Sequence, residues 1–302
     1  MRRETMDPDI FTTDRPLLFS IAYRMLGSAS DAEDVLQDAW LRYRRADRSA
    51  IRSPKAFATT IVTRLCLDRL KSARTTREEY IGPWLPEPVL TSEIGNPDDM
   101  LQRAESVTLA FMVLLEKLSP EERAVFLLKD VFEYDHSEIA DMLGTTADNS
   151  RQLLHRAKVR LAEGRPRLTG TPESRRAIAE RFALAFSSGD GSGLTALLAA
   201  DVGMWSDGGG KASAARRPLI GRDQVLNFLI GIHRTAQTAG LTRDVSLRIE
   251  DVNSEPALVV RTSQRLESIF VFSIDDEAIT AIRIVRNPDK LAHIDRRLAT
   301  LH

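Results

Sequence analysis

Two all-helical units followed by an α+β unit is the architecture this 302-residue sequence predicts, and three observations carry it. Apolar residues recur at helical spacing up to about residue 163. Beyond about residue 240 they fall into short runs with strand-like alternation. Two stretches rich in Pro and Gly, at 80–100 and 164–173, punctuate the chain. The length suits two ordinary domains and a smaller third. The expected division is a helical domain at 8–78, a linker at 79–104, a second helical domain at 105–164, a linker at 165–173, an α+β domain at 174–291 and a tail at 292–302.

The first unit opens with a helical region from about Asp14 through SIAYRMLG, stopping near Gly27. In SASDAEDVLQDAWLRYRR, Ser28 or Ser30 serves as N-cap, and Asp31, Glu33 and Asp34 suit the positive end of the helix. Val35, Leu36, Ala39 and Tyr43 supply its apolar stripe. Ser53 and Pro54 restart the chain as a helix, PKAFATTIVTRLCLDRLKSAR, with Phe57, Ile61 and Leu65 on successive turns. The stretch YIGPWLPEPVLTSEIGNPDDM can be neither one helix nor a central strand. Trp84 and Leu85 make it apolar enough to dock on a neighbouring surface.

In the second unit SVTLAFMVLLEKL is an apolar helix, and SPEERAVFLLKDVF opens with Ser119 as cap, Pro120 in the first turn and Glu122 three residues on. SEIADMLGTTADNSRQLLHRAKVRL is two short helices around a turn at Gly144. Ser150, Leu154, Ala157 and Leu161 share a face suited to packing on Ile139 and Leu143, whereas Asn149, Gln152 and Arg156 point the other way. Past the second linker, helices at PESRRAIAERFALAFSSGD and GRDQVLNFLIGIHRTA flank the Gly-rich DVGMWSDGGGKASAARRPLIG. Strand-like runs follow in LTRDVSLRIEDVN, PALVVRTSQ and LESIFVFSIDDEAITAIRIVRN, with Asp275 and Asp276 as a hairpin turn. These predict helices packed on a strongly bent antiparallel sheet that has one covered face.

Composition narrows the function. With 43% apolar and 28% charged residues, and no run of about 18 apolar residues, a soluble protein without a membrane span is expected. MRRETMDPDI has no apolar run behind its arginines and does not resemble a signal peptide, so the expected location is the cytoplasm. The single cysteine, Cys66, excludes an intrachain disulfide and a cysteine-based zinc site, and its apolar setting suits a buried thiol. The net charge of -1 conceals two basic blocks. Residues 42–77 hold eleven Lys or Arg against Asp47 and Asp68, and residues 151–167 hold six against Glu163. Two such blocks on helices favour a polyanionic partner.

In order and spacing, GSASDAEDVLQDAWLRYRR, PKAFATTIVTRLCLDRLKSAR and LSPEERAVFLLKDVFEYDHSEIADMLGTTADNSRQLLHRAKVRL resemble a sigma-70-type initiation factor of the extracytoplasmic-function class. The resemblance covers about residues 12–163, as a region-2-like unit, a linker and a region-4-like helix-turn-helix. The remainder resembles the subgroup with a fused SnoaL-like extension, a cone-shaped fold related to nuclear transport factor 2. WLPEP at 84–88, DGGGK at 207–211 and NPDKL at 287–291 carry that likeness. The implied function is a promoter-specificity subunit that binds core RNA polymerase, recognises -10 and -35 elements and starts transcription, with no cofactor. The fused domain is implied to contact the sigma core and linker and to modulate them.

Candidate sites follow. Asp31, Asp34 and Asp38 share one helix face, which reads either as a solvated surface or, by resemblance, as the polymerase-docking helix with Leu36 and Trp40 adding apolar area. Arg52, Lys55, Arg64, Arg69, Lys71 and Arg74 are candidate phosphate contacts, against the plainer reading of surface charge. Asn149 and Gln152 suit adenine and Arg156 suits guanine in a major groove, with Arg151, His155 and Lys158 beside them. Trp84, Leu85, Pro86, Asp207, Gly208, Gly209, Gly210, Lys211, Asn287, Pro288, Asp289, Lys290 and Leu291 are the candidate regulatory interface. The DGGGK stretch lacks a phosphate-loop pattern and suits a tight turn with Lys211 free to pair with an acid. Asp289 and Lys290 are expected to be exposed where the last strand ends, and the tail beyond them to be separable from the α+β core. The competing reading is a DNA-binding protein fused to a SnoaL-type cyclase or isomerase, which would need Asp201, Asp207 and His233 to converge. A pocket for an unidentified small ligand is left open.

Overall fold

The computed structural model describes residues 10–47, 49, 51–78, 80–94, 105–162, 169–238, 240, 244–275 and 277–300, with residues 73–78 described in their backbone alone. The chain divides into two compact units. One holds Met1–Glu78, Ser92–Ser106 and Phe111–Arg165; the other holds Glu79–Thr91, Val107–Ala110 and Pro166–His302. The Pro-rich segment expected as a linker is thus shared between them.

The first unit is all helical. Helices α1 (Ile10–Thr13), α2 (Arg15–Leu26), α3 (Ala29–Arg45) and α4 (Pro54–Glu78) form its first part. Helix α2 is buried on every side from Leu18 onward and stops at Gly27, whose φ of 69° places it in the left-handed region. Of the two serines expected to cap α3, Ser28 does so, its hydroxyl accepting from the Asp31 amide at 3.1 Å. Helices α5 (Leu109–Leu115), α6 (Pro120–Phe126), α7 (His136–Leu143) and α8 (Ala147–Leu161) follow, with one turn of π-helix, Leu127–Val131, after α6. Ser119 and Glu122 form the expected capping box of α6. Helix α5 is shorter than the apolar pattern suggests. Arg123 joins the two parts, donating to the carbonyls of Met25 at 2.7 Å and Leu115 at 2.8 Å.

In the second unit, helices α9 (Pro172–Ser188), α10 (Gly191–Leu197) and α11 (Arg222–Thr238) precede or interrupt a sheet of β1 (Leu198–Asp207), β2 (Leu219–Ile220), β3 (Val245–Val252), β4 (Glu255–Thr262), β5 (Leu266–Asp275) and β6 (Ala278–Val285), and α12 (Pro288–Thr300) closes the chain. The strand order is β2-β1-β6-β5-β4-β3. The sheet is mixed, because β1 and β6 pair in parallel. This corrects the antiparallel expectation: the intervening chain is long enough for a crossover, and β1 was hidden in the segment read as Gly-rich. Asp275 pairs with Ala278, as the hairpin requires, while Asp276 lies outside the described residues.

Both sheet faces are covered, which corrects the expectation of one. Val202, Met204, Leu258, Phe270, Phe272, Ile282 and Ile284 share one face with Phe182, Phe186 and Leu229 from the helices. Alternation puts Asp207, Ile269, Val271 and Val285 on the other face, and they too are buried. That second face is covered from two directions. Helix α12 packs against β5, with Leu291, Ile294 and Leu298 buried, and the chain around Leu85, Val89, Leu90, Val107 and Leu109 supplies further buried side chains. The tail expected from residue 292 is therefore the continuation of a helix that closes this core.

Candidate functional site

The helix-turn-helix is built by local chemistry. Gly144, at φ 66°, ends α7, and the Thr146 hydroxyl caps α8 by accepting from the Asn149 amide at 3.1 Å. Ser150, Leu153, Ala157 and Leu161 form the buried face of α8; Leu153 enters the small core with Val125, Leu128, Ile139 and Met142, and Leu154, expected on this face, packs half-buried against the same core with Leu143. Gln152, His155, Arg151, Arg156 and Lys158 are exposed, and Asn149 is half-buried with its amide on Thr145 Oγ1 at 2.8 Å. The basic side chains have acidic neighbours: Arg151 pairs with Asp148, Arg156 Nε lies 3.7 Å from Glu122, and Lys158 lies 3.0 Å from Asp130. His136 Nδ1 meets the buried Ser150 hydroxyl at 2.8 Å. Burial first, and then Lys129 and Arg151, hold its imidazole below the usual range.

Several candidate residues of the first helical part are also partnered. Arg69 lies 2.6 Å from Asp31 and 3.6 Å from Asp34, so part of the acidic face of α3 is neutralised by part of the basic face of α4. Arg64 donates to the carbonyls of Met142 at 2.8 Å and Asp141 at 3.2 Å, at the C-terminus of α7. Lys71 pairs with Glu121 at 3.0 Å, Lys55 is 3.9 Å from Asp14, and Arg52 is exposed. The Arg74 side chain lies outside the described residues. Asp38 is exposed. Leu36, expected to offer apolar area, is buried on the stripe of α3, whereas Trp40 is half-buried under the Arg44 guanidinium at 4.9 Å. Leu36 and Trp40 line a groove of about 480 Å³ together with Phe11, Arg15, Glu33 and Asp34. Cys66 is buried, and burial raises its thiol pKa far above the ordinary value.

In the second unit the three signature stretches meet at one buried ion pair. Lys290 Nζ lies 2.7 Å from Asp207 Oδ2 and 2.5 Å from the Leu85 carbonyl, and 4.6 and 4.4 Å from the ring centroids of Tyr80 and Trp84. Lys290 was expected to be exposed; its partners, 83 and 205 residues away, draw it inside. The Asp207 carboxylate also accepts from the Tyr80 hydroxyl at 2.6 Å and the Leu85 amide at 2.8 Å. Burial first, and then the Asp207 carboxylate, push the Tyr80 phenol well up. Asn287 donates to Tyr80 Oη at 2.9 Å. Lys211 pairs with the exposed Asp289 at 2.5 Å. Gly208, Gly209 and Gly210 form the turn beneath, and a Cβ on Gly209 would lie 2.1 Å from the Asn287 amide nitrogen. Pro86 and Leu291 are buried and Pro288 is exposed. Asp201 is exposed on β1, so it does not share the buried setting of Asp207. Tyr80 was missed by sequence reading; its signal was an aromatic at the head of the apolar linker, four residues before Trp84.

No group of three or more His, Cys, Asp or Glu side chains among the described residues is arranged to hold a metal ion, and no helix among them is long and apolar enough to cross a membrane.

Comparison with known proteins assigns the helical parts. The family pattern described as Sigma-70 region 2 matches residues 10–76, and that described as Sigma-70, region 4 matches residues 108–161. The chain is 34% identical over 298 residues to the ECF RNA polymerase sigma factor SigJ of Mycobacterium tuberculosis, covering 94% of this chain and 93% of that protein. It is 30% identical over 280 residues to the probable ECF RNA polymerase sigma factor SigI of the same species, covering 92% of each. The crystal structure of Mycobacterium tuberculosis SigJ superposes with a TM-score of 0.72 at 33% identity, over 95% of this chain and 98% of that one. With both sigma-70 regions in place and near-full-length similarity, the chain belongs to the extracytoplasmic-function sigma factors, the promoter-specificity subunits of RNA polymerase.

Proposed function

We propose that the α+β unit is a built-in regulator that works by holding the segment between sigma regions 2 and 4, and that it has no catalytic role. The observation that carries this reading is the Lys290 ammonium, enclosed by the Asp207 carboxylate, the Leu85 carbonyl and the rings of Tyr80 and Trp84. A lysine so enclosed joins the end of the sheet to the inter-region chain, and uses Asp207 in doing so. The enzymatic alternative draws no support from that aspartate, whose oxygens are already engaged by Lys290, Tyr80 and Leu85.

In the same reading, Gln152, Arg156 and Asn149 recognise bases of the -35 element, while Arg151, His155 and Lys158 contact its phosphates. Arg52, Lys55, Lys71 and Arg74 serve the -10 region. Arg64 and Arg69 join them on DNA only by leaving the carbonyls and carboxylates that hold them here. The α3 face with Asp31, Asp34, Asp38 and Trp40, beside the groove partly lined by Leu36, docks on core RNA polymerase.

Run-off transcription with core polymerase and a cognate promoter tests the regulator. Lys290→Ala in the full chain is expected to change output at matched protein concentration by several-fold while binding of core polymerase, measured in parallel, is kept. Unchanged output from a variant shown by fluorescence to have released Trp84 would sink the proposal.

A further inference from the structure

Two pieces of the inter-region chain that are well separated in sequence, around Val89 and around Val107, meet at the tip of the β3–β4 hairpin. Val252 pairs with Glu255, leaving Asn253 and Ser254 as a two-residue loop at φ 54° and 61°, the left-handed pair that such a hairpin turn needs and that Asn tolerates. Asn253 is fully buried. Its side chain works at both ends: Oδ1 accepts from the Val89 amide at 3.1 Å, and Nδ2 donates to the Val107 carbonyl at 2.8 Å. Its own amide donates to the Val89 carbonyl at 3.0 Å.

The neighbours extend the same grip. Leu90 forms an antiparallel bridge with Val252, and the Ser254 amide donates to Thr91 Oγ1 at 3.0 Å. On the other strand, the Leu109 amide donates to Glu255 Oε2 at 3.2 Å, and the opposite carboxylate oxygen accepts from the Ser273 hydroxyl at 2.6 Å. None of these residues lies in the three signature stretches. A buried amide joined to two backbone strands fixes both, because releasing either strand strands polar groups away from water.

We propose that Asn253 is a positioning residue for promoter recognition, closing the neck of the chain between residues 89 and 107 and so limiting how far regions 2 and 4 can separate along the promoter. It rests on the inter-region chain staying held by the α+β unit, as proposed above. Region 2 ends at residue 76 and region 4 begins at 108, so residues 77–107 are the tether. With Val89 and Val107 both held at one hairpin tip, residues 90–106 add nothing to the reach of the tether. A shorter tether confines the spacings at which -10 and -35 elements are engaged together.

The test is run-off transcription by the full-length protein with core polymerase, on promoters whose spacer varies one base pair at a time. Asn253→Gly removes the side chain and keeps the left-handed backbone accessible. Output of the unaltered protein is expected to fall about 10-fold two base pairs from the optimal spacer, and that of Asn253→Gly by less than about 3-fold. Lost folding lowers all spacers together, so the width of the profile is the readout. A second protein adds Leu90→Cys and Val252→Cys to Asn253→Gly, placing a disulfide where the bridge now is, and Cys66 is buried and does not compete. Oxidised, it is expected to regain the narrow profile; reduced, the broad one. Should Asn253→Gly give too little product, the stapled protein read in both states carries the comparison. A profile for Asn253→Gly parallel to that of the unaltered protein, or a formed disulfide that leaves the profile broad, overturns the proposal. The regulator reading is judged separately, by the output of Lys290→Ala at the optimal spacer.

Discussion

Lys290 and Asp207 form an ion pair at 2.7 Å whose side chains are 9% and 0% exposed. Such a pair is sensitive to losing one partner, because the other is left charged in a site that cannot hydrate it. Lys290→Ala is therefore expected to destabilise the α+β unit by about 3–5 kcal/mol, read by chemical denaturation followed through Trp84. Replacing both residues with apolar ones should not restore stability, since the Tyr80 hydroxyl and Leu85 amide would lose their acceptor. Removing residues 287–302 is expected to cost still more, because it strips Leu291, Ile294 and Leu298 from the sheet as well.

Two glycines with similar backbones should respond differently to alanine. Gly144 and Gly209 have φ of 66° and 57°, but a Cβ on Gly144 meets nothing within 4 Å, whereas one on Gly209 meets Asn287 and Tyr80. Gly144→Ala should cost about 1–2 kcal/mol, the left-handed penalty alone. Gly209→Ala should cost more and release Tyr80 from Asn287. Thermal unfolding of the two variants, with tyrosine absorbance followed across alkaline pH, checks both parts.

For the base and phosphate contacts proposed for α8, salt separates the two. Gln152→Ala is expected to change the ranking of -35 sequences with little change in salt dependence. Arg151→Ala should weaken all sequences alike and reduce the magnitude of the log-log salt slope by about 0.9. Fluorescence anisotropy with holoenzyme on cognate and scrambled duplexes measures both; equal loss on both duplexes for Gln152→Ala would contradict its base-reading role.

Glu255 is fully buried, and burial raises its carboxyl above the ordinary value despite Arg283, Ser273 and the Leu109 amide. A raised folded value means that the folded state holds its proton more tightly than the unfolded chain does. The stabilising contribution is then present below the ordinary carboxylate range and lost as pH rises through the raised value. Glu255→Gln, which keeps a neutral polar group, should flatten that dependence: its stability relative to the unaltered protein should be greatest at the high end of the window. Denaturation curves from pH 4.5 to 8 on both proteins decide it.

Locally determined features of this fold were legible in the sequence. The Ser119 and Glu122 box and the Gly144 turn follow from a few adjacent residues. Leu154 packs against the core with Leu143 as its spacing indicates, but Leu153, about 100° away on the helix, enters it more deeply. Strand β1 escaped because the glycines after Asp207 dominate its segment and because the strand, covered on both faces, shows no alternation to read. The parallel pairing with β6 has no local signal at all. The three signature stretches do converge, but the burial of Lys290 depends on an acid and two rings supplied from elsewhere in the chain. Asn253 had a readable turn signal, in Asn-Ser between two apolar runs; its partners Val89 and Val107 did not.

The dependence of residues 80–91 on partners near the C-terminus has a consequence during synthesis. The Leu85 carbonyl waits for a lysine 205 residues downstream, which at roughly 5–20 residues per second emerges from the ribosome about 10–40 s later. In the later part of that interval, once residue 161 has been made, both sigma regions are present while the chain joining them has not met the sheet. On the regulator proposed above, a chain whose synthesis stops within the last strands lacks Lys290 and with it the hold on residues 80–91, so the timing of chain completion becomes part of the control.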